Sequence, residues 1–337
     1  MKGLRIIVDD NIPYIKGRLE GVPEVEEVIY VDQFGFTPEI VKDADAVVIR
    51  TRTRCNEALL GGSRVKLVAT ATIGMDQIDR DWCAKAGIDV RNAPGCNAPG
   101  VAQYVWSALL REGFKAGRDK LGIVGCGNVG SIVKAWGERL GAEILVNDPP
   151  KEAENPEGSY HSLEEVLSEC DAVTLHTPLT RDGEWPSYHL ISEEELELMK
   201  PGALLINAAR GPVVNGDAVK AATKDGRIRA VIDTWEGEPE IDPELLNVVD
   251  YGTFHIAGYS RQGKERATRM ALEALEQKFG IKIDKSGLAG AYSEPEGLCE
   301  ESILRSYDPG HDMMPLREHP EFFDTLRANY YYRDEVK

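Results

Sequence analysis

The chain has 337 residues, enough for two full hydrophobic cores, and 42% of them are hydrophobic. Its 57 acidic side chains outweigh 39 lysines and arginines, leaving a net charge of -18 with no basic block, so neither nucleic acid nor an anionic membrane is an expected partner. No apolar stretch approaches the roughly 20 residues of a membrane span, and Met1-Lys2-Gly3 leads into Leu4-Arg5-Ile6-Ile7-Val8 without a signal-peptide core.

Six scattered cysteines with no CxxC pair suit a reducing compartment, so a cytoplasmic protein without a metal site is expected.

Short apolar runs at Leu4-Val8, Ala46-Arg50, Val65-Ala69 and Ile88-Val90 predict four strands, with a helix after Pro13. Helix-length spacers between them imply a small parallel-sheet domain, residues 1–95. The turn-rich Pro94-Gly95-Cys96-Asn97-Ala98-Pro99-Gly100 marks the crossing into a second domain, 96–257, which opens with a helix over 101–110.

There Leu121-Gly122-Ile123-Val124 reads as a buried strand, followed by Gly125-Cys126-Gly127-Asn128-Val129-Gly130. A helix over 129–140 is marked by Val129, Val133, Trp136 and Leu140. Glycines suit a tight turn, close approach of backbone to a pyrophosphate, and tight helix–strand packing, and the helix N-terminus favours phosphate. The next strand, Ala142-Glu143-Ile144-Leu145-Val146-Asn147, ends at Asp148, 18 residues after Gly130, where a carboxylate can accept from both ribose hydroxyls and would repel a 2′-phosphate. Strand, glycine loop, helix and acid together predict NAD as cofactor, the lesser alternative for Asp148 being a strand-end turn residue before Pro149-Pro150.

Further strands at Ala172-Leu175, Ala203-Asn207 and Ala230-Asp233, with a short edge near Tyr251-Gly252-Thr253, complete a Rossmann-type sheet of five or six strands. A helix over 268–279 is expected to return to the first domain, so that 258–282 complete it. Residues 283–337 read as a linker and a small C-terminal region, in which Phe322, Phe323, Leu326, Tyr330 and Tyr331 make an apolar pattern too large for a short appendage to bury alone.

The polar residues after the glycine loop sit where strands give way to loops, the ligand-binding edge of an open α/β sheet. Arg210 offers a planar fork for a substrate carboxylate, or else a surface ion pair. His255 can exchange the proton of a C2 hydroxyl, though a lone histidine after a strand is more often structural. Glu238 can hold the other imidazole nitrogen, with Glu236 as a decoy two residues away. Arg50-Thr51-Arg52-Thr53-Arg54 closes a strand of the first domain; it is either an anion pocket for a phosphate or a set of exposed arginines.

Arg210, Glu238 and His255, in that order after a central nucleotide domain, resemble the D-isomer-specific 2-hydroxyacid dehydrogenase superfamily. The likeness extends to Val8-Asp9-Asp10-Asn11-Ile12-Pro13-Tyr14, Thr70-Ala71-Thr72-Ile73-Gly74-Met75-Asp76, Ala93-Pro94-Gly95-Cys96-Asn97-Ala98, Trp235-Glu236-Gly237-Glu238-Pro239 and His255-Ile256-Ala257-Gly258-Tyr259. It implies a Rossmann-type NAD domain inserted in a flavodoxin-like parallel α/β substrate domain, with a short C-terminal α+β dimerisation appendage, and hence a homodimer. It also implies NAD-dependent oxidation of a small, phosphorylated, anionic 2-hydroxy acid, with Arg210, Glu238 and His255 catalytic and His255 the acid/base. Gly125, Gly127, Asn128, Val129, Gly130, Asp148, Thr177, Ala208, Arg210, Asp233 and Gly258 would contact NAD; Thr51, Thr72 and Tyr259 would contact substrate. Met75 and Gln77 depart from the superfamily's usual Thr and His, the connection near 112–120 is short, and the final part of the family's C-terminal domain is absent after Arg333. Rival readings are another 2-hydroxy acid, such as 3-phosphoglycerate, glycerate or glyoxylate, and a non-catalytic NAD-sensing protein.

Overall fold

A computed structural model describes residues 3–337; Met1 and Lys2, where the start of the chain was read for a leader, lie outside the described residues. The chain forms two compact units. The first runs to Asn97 and takes up again at Arg261–Tyr292; the second comprises Ala98–Ser260 and Ser293–Lys337.

The first unit is a five-stranded parallel sheet of β1 (Leu4–Asp9), β2 (Val25–Val31), β3 (Ala46–Ile49), β4 (Leu67–Thr70) and β5 (Asp89–Arg91), in the order β2-β1-β3-β4-β5. The inner strands β1, β3 and β4 are apolar because both faces are covered. Helix Arg261–Phe279 lays Ala271, Leu272 and Leu275 against Leu67 and Ala69 of β4.

Two expectations fail here. β2 was missed because it is an edge strand: Val25-Glu-Glu-Val-Ile-Tyr-Val31 pairs only with β1 and leaves Glu26 and Glu27 exposed, masking its apolar pattern. No helix follows Pro13. Tyr14 (φ 63°) and Gly17 (φ 82°) are left-handed, which no helix accommodates, and Arg18 N closes a turn on Ile15 O.

The second unit holds β6 (Lys120–Val124), β7 (Glu143–Asn147), β8 (Ala172–Leu175), β9 (Leu204–Asn207), β10 (Arg229–Ile232) and β11 (Tyr251–Gly252), all parallel in the order β11-β10-β9-β8-β6-β7. The chain goes from β6 outward to β7, then crosses back to β8, so the carboxyl ends of β6 and β8 flank the point where the winding reverses. That is where a doubly wound sheet opens a crevice. Helix Ala98–Arg111 is buried nearly throughout, and helix Asn128–Leu140 buries Val133 and Trp136 on the same core.

The C-terminal region departs from the reading of a separate linker and appendage, since residues to Tyr292 join the first unit and the rest packs on the second. Its regular elements are helices, Glu300–Ser306, Pro309–Glu318 and Phe323–Ala328, with one β-bridge between Arg333 and Ser260. Ile303, Tyr307, Leu316, Phe323 and Val336 enter the core of the second unit, with Leu326 and Tyr330 packed against it. Of the apolar pattern, Phe323 is buried and Leu326 and Tyr330 are half-buried within the chain itself, whereas Phe322 (47%) and Tyr331 (78%) stay exposed.

Among the described residues no helix is long and apolar enough to cross a membrane. All six cysteines are free thiols, five of them buried.

Candidate active site

The glycine loop leaves β6 at the reversal point. Gly125 has φ 89°, and a Cβ there would lie 2.9 Å from the His176 carbonyl carbon, so the loop after β6 turns tightly against the loop after β8. A Cβ on Gly130 would stand 2.1 Å from Gly125 O. Gly127, which caps the helix Asn128–Leu140, differs: a Cβ there would meet nothing within 4 Å. Two glycines are demanded by the chain's own packing, and the third faces open space beside a helix N-terminus, as a pyrophosphate cradle requires.

Asp148 follows β7 and caps helix Pro149–Glu154. Its Oδ1 accepts from Lys151 N at 3.1 Å, and its Oδ2 accepts from Cys126 N at 2.7 Å, tying the acid to the glycine loop. Lys151 Nζ donates to the Cys126 carbonyl. Acid and loop are thus pre-set relative to one another, and each carboxylate oxygen retains acceptor capacity for a ribose hydroxyl.

Buried polar atoms without partners mark the neighbouring strand ends. After β8, Thr177 Oγ1 and His176 Nδ1 are unsatisfied, as is Thr234 Oγ1 after β10. Such atoms are costly unless a ligand or water meets them. His176 Nε2 lies 3.0 Å from Thr174 Oγ1, and burial pushes the imidazole down to about 3, so it stays neutral. The resemblance assigns only Thr177 of these a contact with NAD; for His176 and Thr234 the sole sequence signal is their position at strand ends.

Asn207 ends β9, its Oδ1 accepting from Ala209 N (3.2 Å) and its Nδ2 donating to Arg210 O (3.0 Å), which shapes the turn through Ala208. Gly211 lets that turn press on the next loop, where a Cβ would lie 1.9 Å from Trp235 O. Arg210 Nη1 donates to Ala209 O at 2.8 Å, and the guanidinium makes no ion pair among the described residues, so the surface ion-pair reading does not hold.

The loop after β11 carries His255 at φ 60°, left-handed for a residue with a side chain. Such a conformation costs of order 1–3 kcal/mol and must be imposed by its surroundings. Here Asp233, fully buried after β10, imposes it. Its Oδ1 accepts from Ile256 N (2.8 Å) and Thr253 Oγ1 (2.7 Å), its Oδ2 from Ala257 N (2.9 Å), and its backbone carbonyl from His255 N (2.8 Å). Tyr104 OH stands 2.8 Å from Thr253 Oγ1 and extends the buried chain. Asp233, expected to contact NAD, thus braces the loop that bears His255 and Gly258.

His255 Nδ1 lies 2.8 Å from Glu238 Oε2, while Glu238 Oε1 accepts from Trp235 N at 2.8 Å. Burial alone would raise the Glu238 carboxyl; the His255 hydrogen bond and charge, with the Trp235 N–H and the Arg327 charge, outweigh it and hold it below its ordinary range. His255 Nε2 has no hydrogen-bond partner among the described residues. Glu236 is engaged elsewhere, with Oε1 2.8 Å from His189 Nε2 and Oε2 accepting from Gly216 N at 3.3 Å. The geometry therefore separates the two glutamates.

Tyr259 packs edge-on against Tyr330 and Tyr332 of the C-terminal segment. In the first unit, Thr51 is exposed, and Thr72 Oγ1 donates to Gly74 O while lying 2.6 Å from Thr70 Oγ1. Arg50 donates to Asn11 O at 3.0 Å, while Arg52 and Arg54 are exposed and alternate with buried Thr53 and Cys55. Among the described residues no three His, Cys, Asp or Glu side chains form a group able to hold a metal.

A dinucleotide cradle on the edge that also presents a guanidinium and a carboxylate-held imidazole suits hydride removal from an acid bearing a hydroxyl. Comparison with known proteins agrees. Residues 97–271 match the family described as D-isomer specific 2-hydroxyacid dehydrogenase, NAD binding domain, and the chain belongs to that family, as an NAD-dependent dehydrogenase. Among curated relatives, a Bacteroides fragilis protein named erythronate-4-phosphate dehydrogenase is 45% identical across 98% of this chain and 97% of its own length. One of the same name from Escherichia fergusonii is 40% identical across 98% of this chain and 92% of its own. Among solved structures, D-lactate dehydrogenase from Aquifex aeolicus, complexed with NAD and lactic acid, superposes with TM-score 0.64 at 26% identity, over 82% of this chain and 95% of that one.

Because Gly127 faces open space, Gly127→Val should leave the melting temperature nearly unchanged yet weaken NAD binding about tenfold or more, a loss of about 1.4 kcal/mol per decade. Titration of protein fluorescence with NAD checks this, and unchanged affinity would remove the cradle from Gly127. A second expectation concerns acid stability. The Glu238 carboxyl is depressed in the folded state, so its ionised form adds stability that is complete above its ordinary 4.5 and is lost as pH falls through the lower folded value. Thermal melts of Glu238→Gln should accordingly decline less steeply than wild type between about pH 5 and pH 3.

Proposed function

We propose that the enzyme oxidises 4-phospho-D-erythronate at C2 to 2-oxo-3-hydroxy-4-phosphobutanoate, a step of pyridoxal 5′-phosphate synthesis, in the cytoplasm. The observation that carries the chemistry is the His255–Glu238 pair at 2.8 Å with Nε2 left open; the relatives' names support the substrate. When bound, NAD supplies the hydride acceptor, and Gly127, Asn128, Asp148 and Thr177 hold it. His255 Nε2 takes the C2 hydroxyl proton. Glu238 fixes the tautomer by accepting from Nδ1 and stabilises the imidazolium that forms. Arg210 binds the substrate carboxylate with its fork and draws charge toward the C2 oxygen as it becomes a carbonyl. Thr51, Thr72 and Tyr259 contact the substrate, and the exposed cations Arg52 and Arg54 are candidates for its phosphate.

His255→Ala should lower kcat by roughly 10²–10⁴-fold with NAD binding nearly intact. Glu238→Gln should slow turnover far more than Glu236→Gln. Unphosphorylated erythronate should react on the order of a hundredfold more slowly in kcat/KM, since each lost charge-assisted hydrogen bond costs about 1.5–3 kcal/mol. NADH fluorescence with erythronate, its 4-phosphate, 3-phosphoglycerate and glycerate decides. Equal rates with and without the phosphate, or a preference for 3-phosphoglycerate, would reject the substrate and leave the dehydrogenase; no turnover with any acid would favour the NAD-sensing reading.

We also propose a homodimer through the C-terminal region, where Phe322, Tyr331 and Met314 remain exposed. Sedimentation equilibrium should give twice the chain mass, and Phe322→Asp with Tyr331→Asp should shift it toward monomer; an unmoved dimer places the interface elsewhere.

A further inference from the structure

Arg333 lies four residues from the end of the chain and is 3% exposed. Its guanidinium sits 4.1 Å above the Tyr307 ring, and its Nε donates to Gln103 Oε1 at 3.0 Å. Most of the remaining contacts fall on the backbone of residues 256–259, with Gly100 O and, at 3.3 Å, Tyr330 OH outside it. Nη1 donates to Ile256 O at 3.0 Å, Nη2 donates to Ala257 O and, at 3.1 Å, to Gly100 O, and Nη1 reaches Tyr259 O at 3.4 Å. The N–H groups of the same Ile256 and Ala257 are those taken by the Asp233 carboxylate. The two residues after His255 are therefore held from both sides, their amides by a buried anion and their carbonyls by a buried cation.

Neighbouring contacts keep Arg333 in place. Its backbone bridges Ser260, Ser260 Oγ donates to Glu335 Oε1 at 2.6 Å, and Gln103 Nε2 donates to Asp334 O at 3.0 Å. Asp312 accepts from Tyr307 OH (2.8 Å) and Tyr330 OH (3.0 Å), placing a carboxylate near the guanidinium without a direct ion pair. A guanidinium buried this deeply is expensive unless every donor is met. Anchoring a tail would not need that outlay, since Phe323 and Leu316 already insert in the core.

We infer that Arg333 is a positioning residue for the reaction: through the Ile256 and Ala257 carbonyls, the C-terminal segment sets the left-handed turn that aims His255. The inference rests on the acid/base role proposed for His255. Its physical warrant is that Asp233 holds the amides and Arg333 the carbonyls of the two peptides that follow a strained φ of 60°. With one side released the Asp233 bonds still keep the turn but less tightly, and the imidazole drifts from its reactive position.

Arg333→Lys and Arg333→Met in the full chain test it, with Gln103→Leu removing a single support. Melting curves report folding, NAD fluorescence titration reports cofactor capture, and kcat and KM are measured with 4-phosphoerythronate. In chains that melt cooperatively, kcat should fall roughly 10- to 100-fold while KM for the acid stays within about threefold. Gln103→Leu should give a smaller loss of the same kind. The deciding comparison is a double-variant cycle: in a His255→Ala background Arg333→Lys should lower the residual rate less than about twofold, because nothing remains to be aimed. Wild-type kcat in a folded Arg333→Lys chain, or an equal loss with and without His255, overturns the inference. Should Arg333→Met fail to fold, Arg333→Lys and Gln103→Leu carry the same comparison. A His255→Ala chain with full turnover would instead reject the acid/base role itself, whereas an inactive His255→Ala chain beside a fully active Arg333→Lys chain rejects only Arg333.

Discussion

The carboxylate of Asp233 has to be satisfied where it lies, and much of the site's geometry follows. Buried after β10, it finds its donors in Thr253, Ile256 and Ala257 of the loop after β11. Hydrogen bonds to a charged group contribute about 1.5–3 kcal/mol each, together more than the order of 1–3 kcal/mol that one left-handed residue costs. The strain at His255 is thus outweighed locally, and relaxing it would leave a buried charge short of partners. Pre-organisation here is electrostatic: the imidazole is aimed by the hydrogen-bonding demand of an acid buried behind its loop.

A second constraint is net charge. At -18 the chain's distant field opposes an anionic substrate, yet beyond about 8 Å that field is screened at physiological salt, so nearby cations decide. Many of the chain's basic side chains are already spoken for. Arg111 pairs with Asp308, Arg229 with Glu112, and Lys220 with both Asp217 and Asp242. Among the described residues Arg210 makes no such pair, and its guanidinium donates to the carbonyl beside it. A guanidinium without an ion pair at a strand end places attraction where the proposed substrate carboxylate docks.

The paired glutamates show how local sequence becomes functional difference. Glu236 and Glu238 share one acidic turn, and nothing in their spacing distinguishes them. The turn aims the first at His189 and the second at His255, so one joins two loops and the other holds the imidazole proposed as acid/base. Two carboxylates of the same type acquire different roles because each is met by a different histidine.

The sequence by itself determined the parts whose physics is local: the strand–glycine–helix unit ending at Asp148, the apolar inner strands, and polar residues at strand ends, because turn sterics, period and burial act over a few neighbours. Edge strand β2 was hidden since only one side of it pairs, and the turns after Pro13 were hidden since a left-handed Tyr14 carries no composition mark. The family pattern already pointed to Glu238 rather than Glu236, but tertiary structure alone decided that Asp233 braces a loop about twenty residues further on and that Glu236 turns to His189. It also decided that most of a C-terminal segment read as an appendage packs on the second unit, with Arg333 on the carbonyls behind the loop that bears His255. These are contacts between residues far apart in the chain, chosen by the need to satisfy every buried charge, and only a complete fold reveals which partner meets that need.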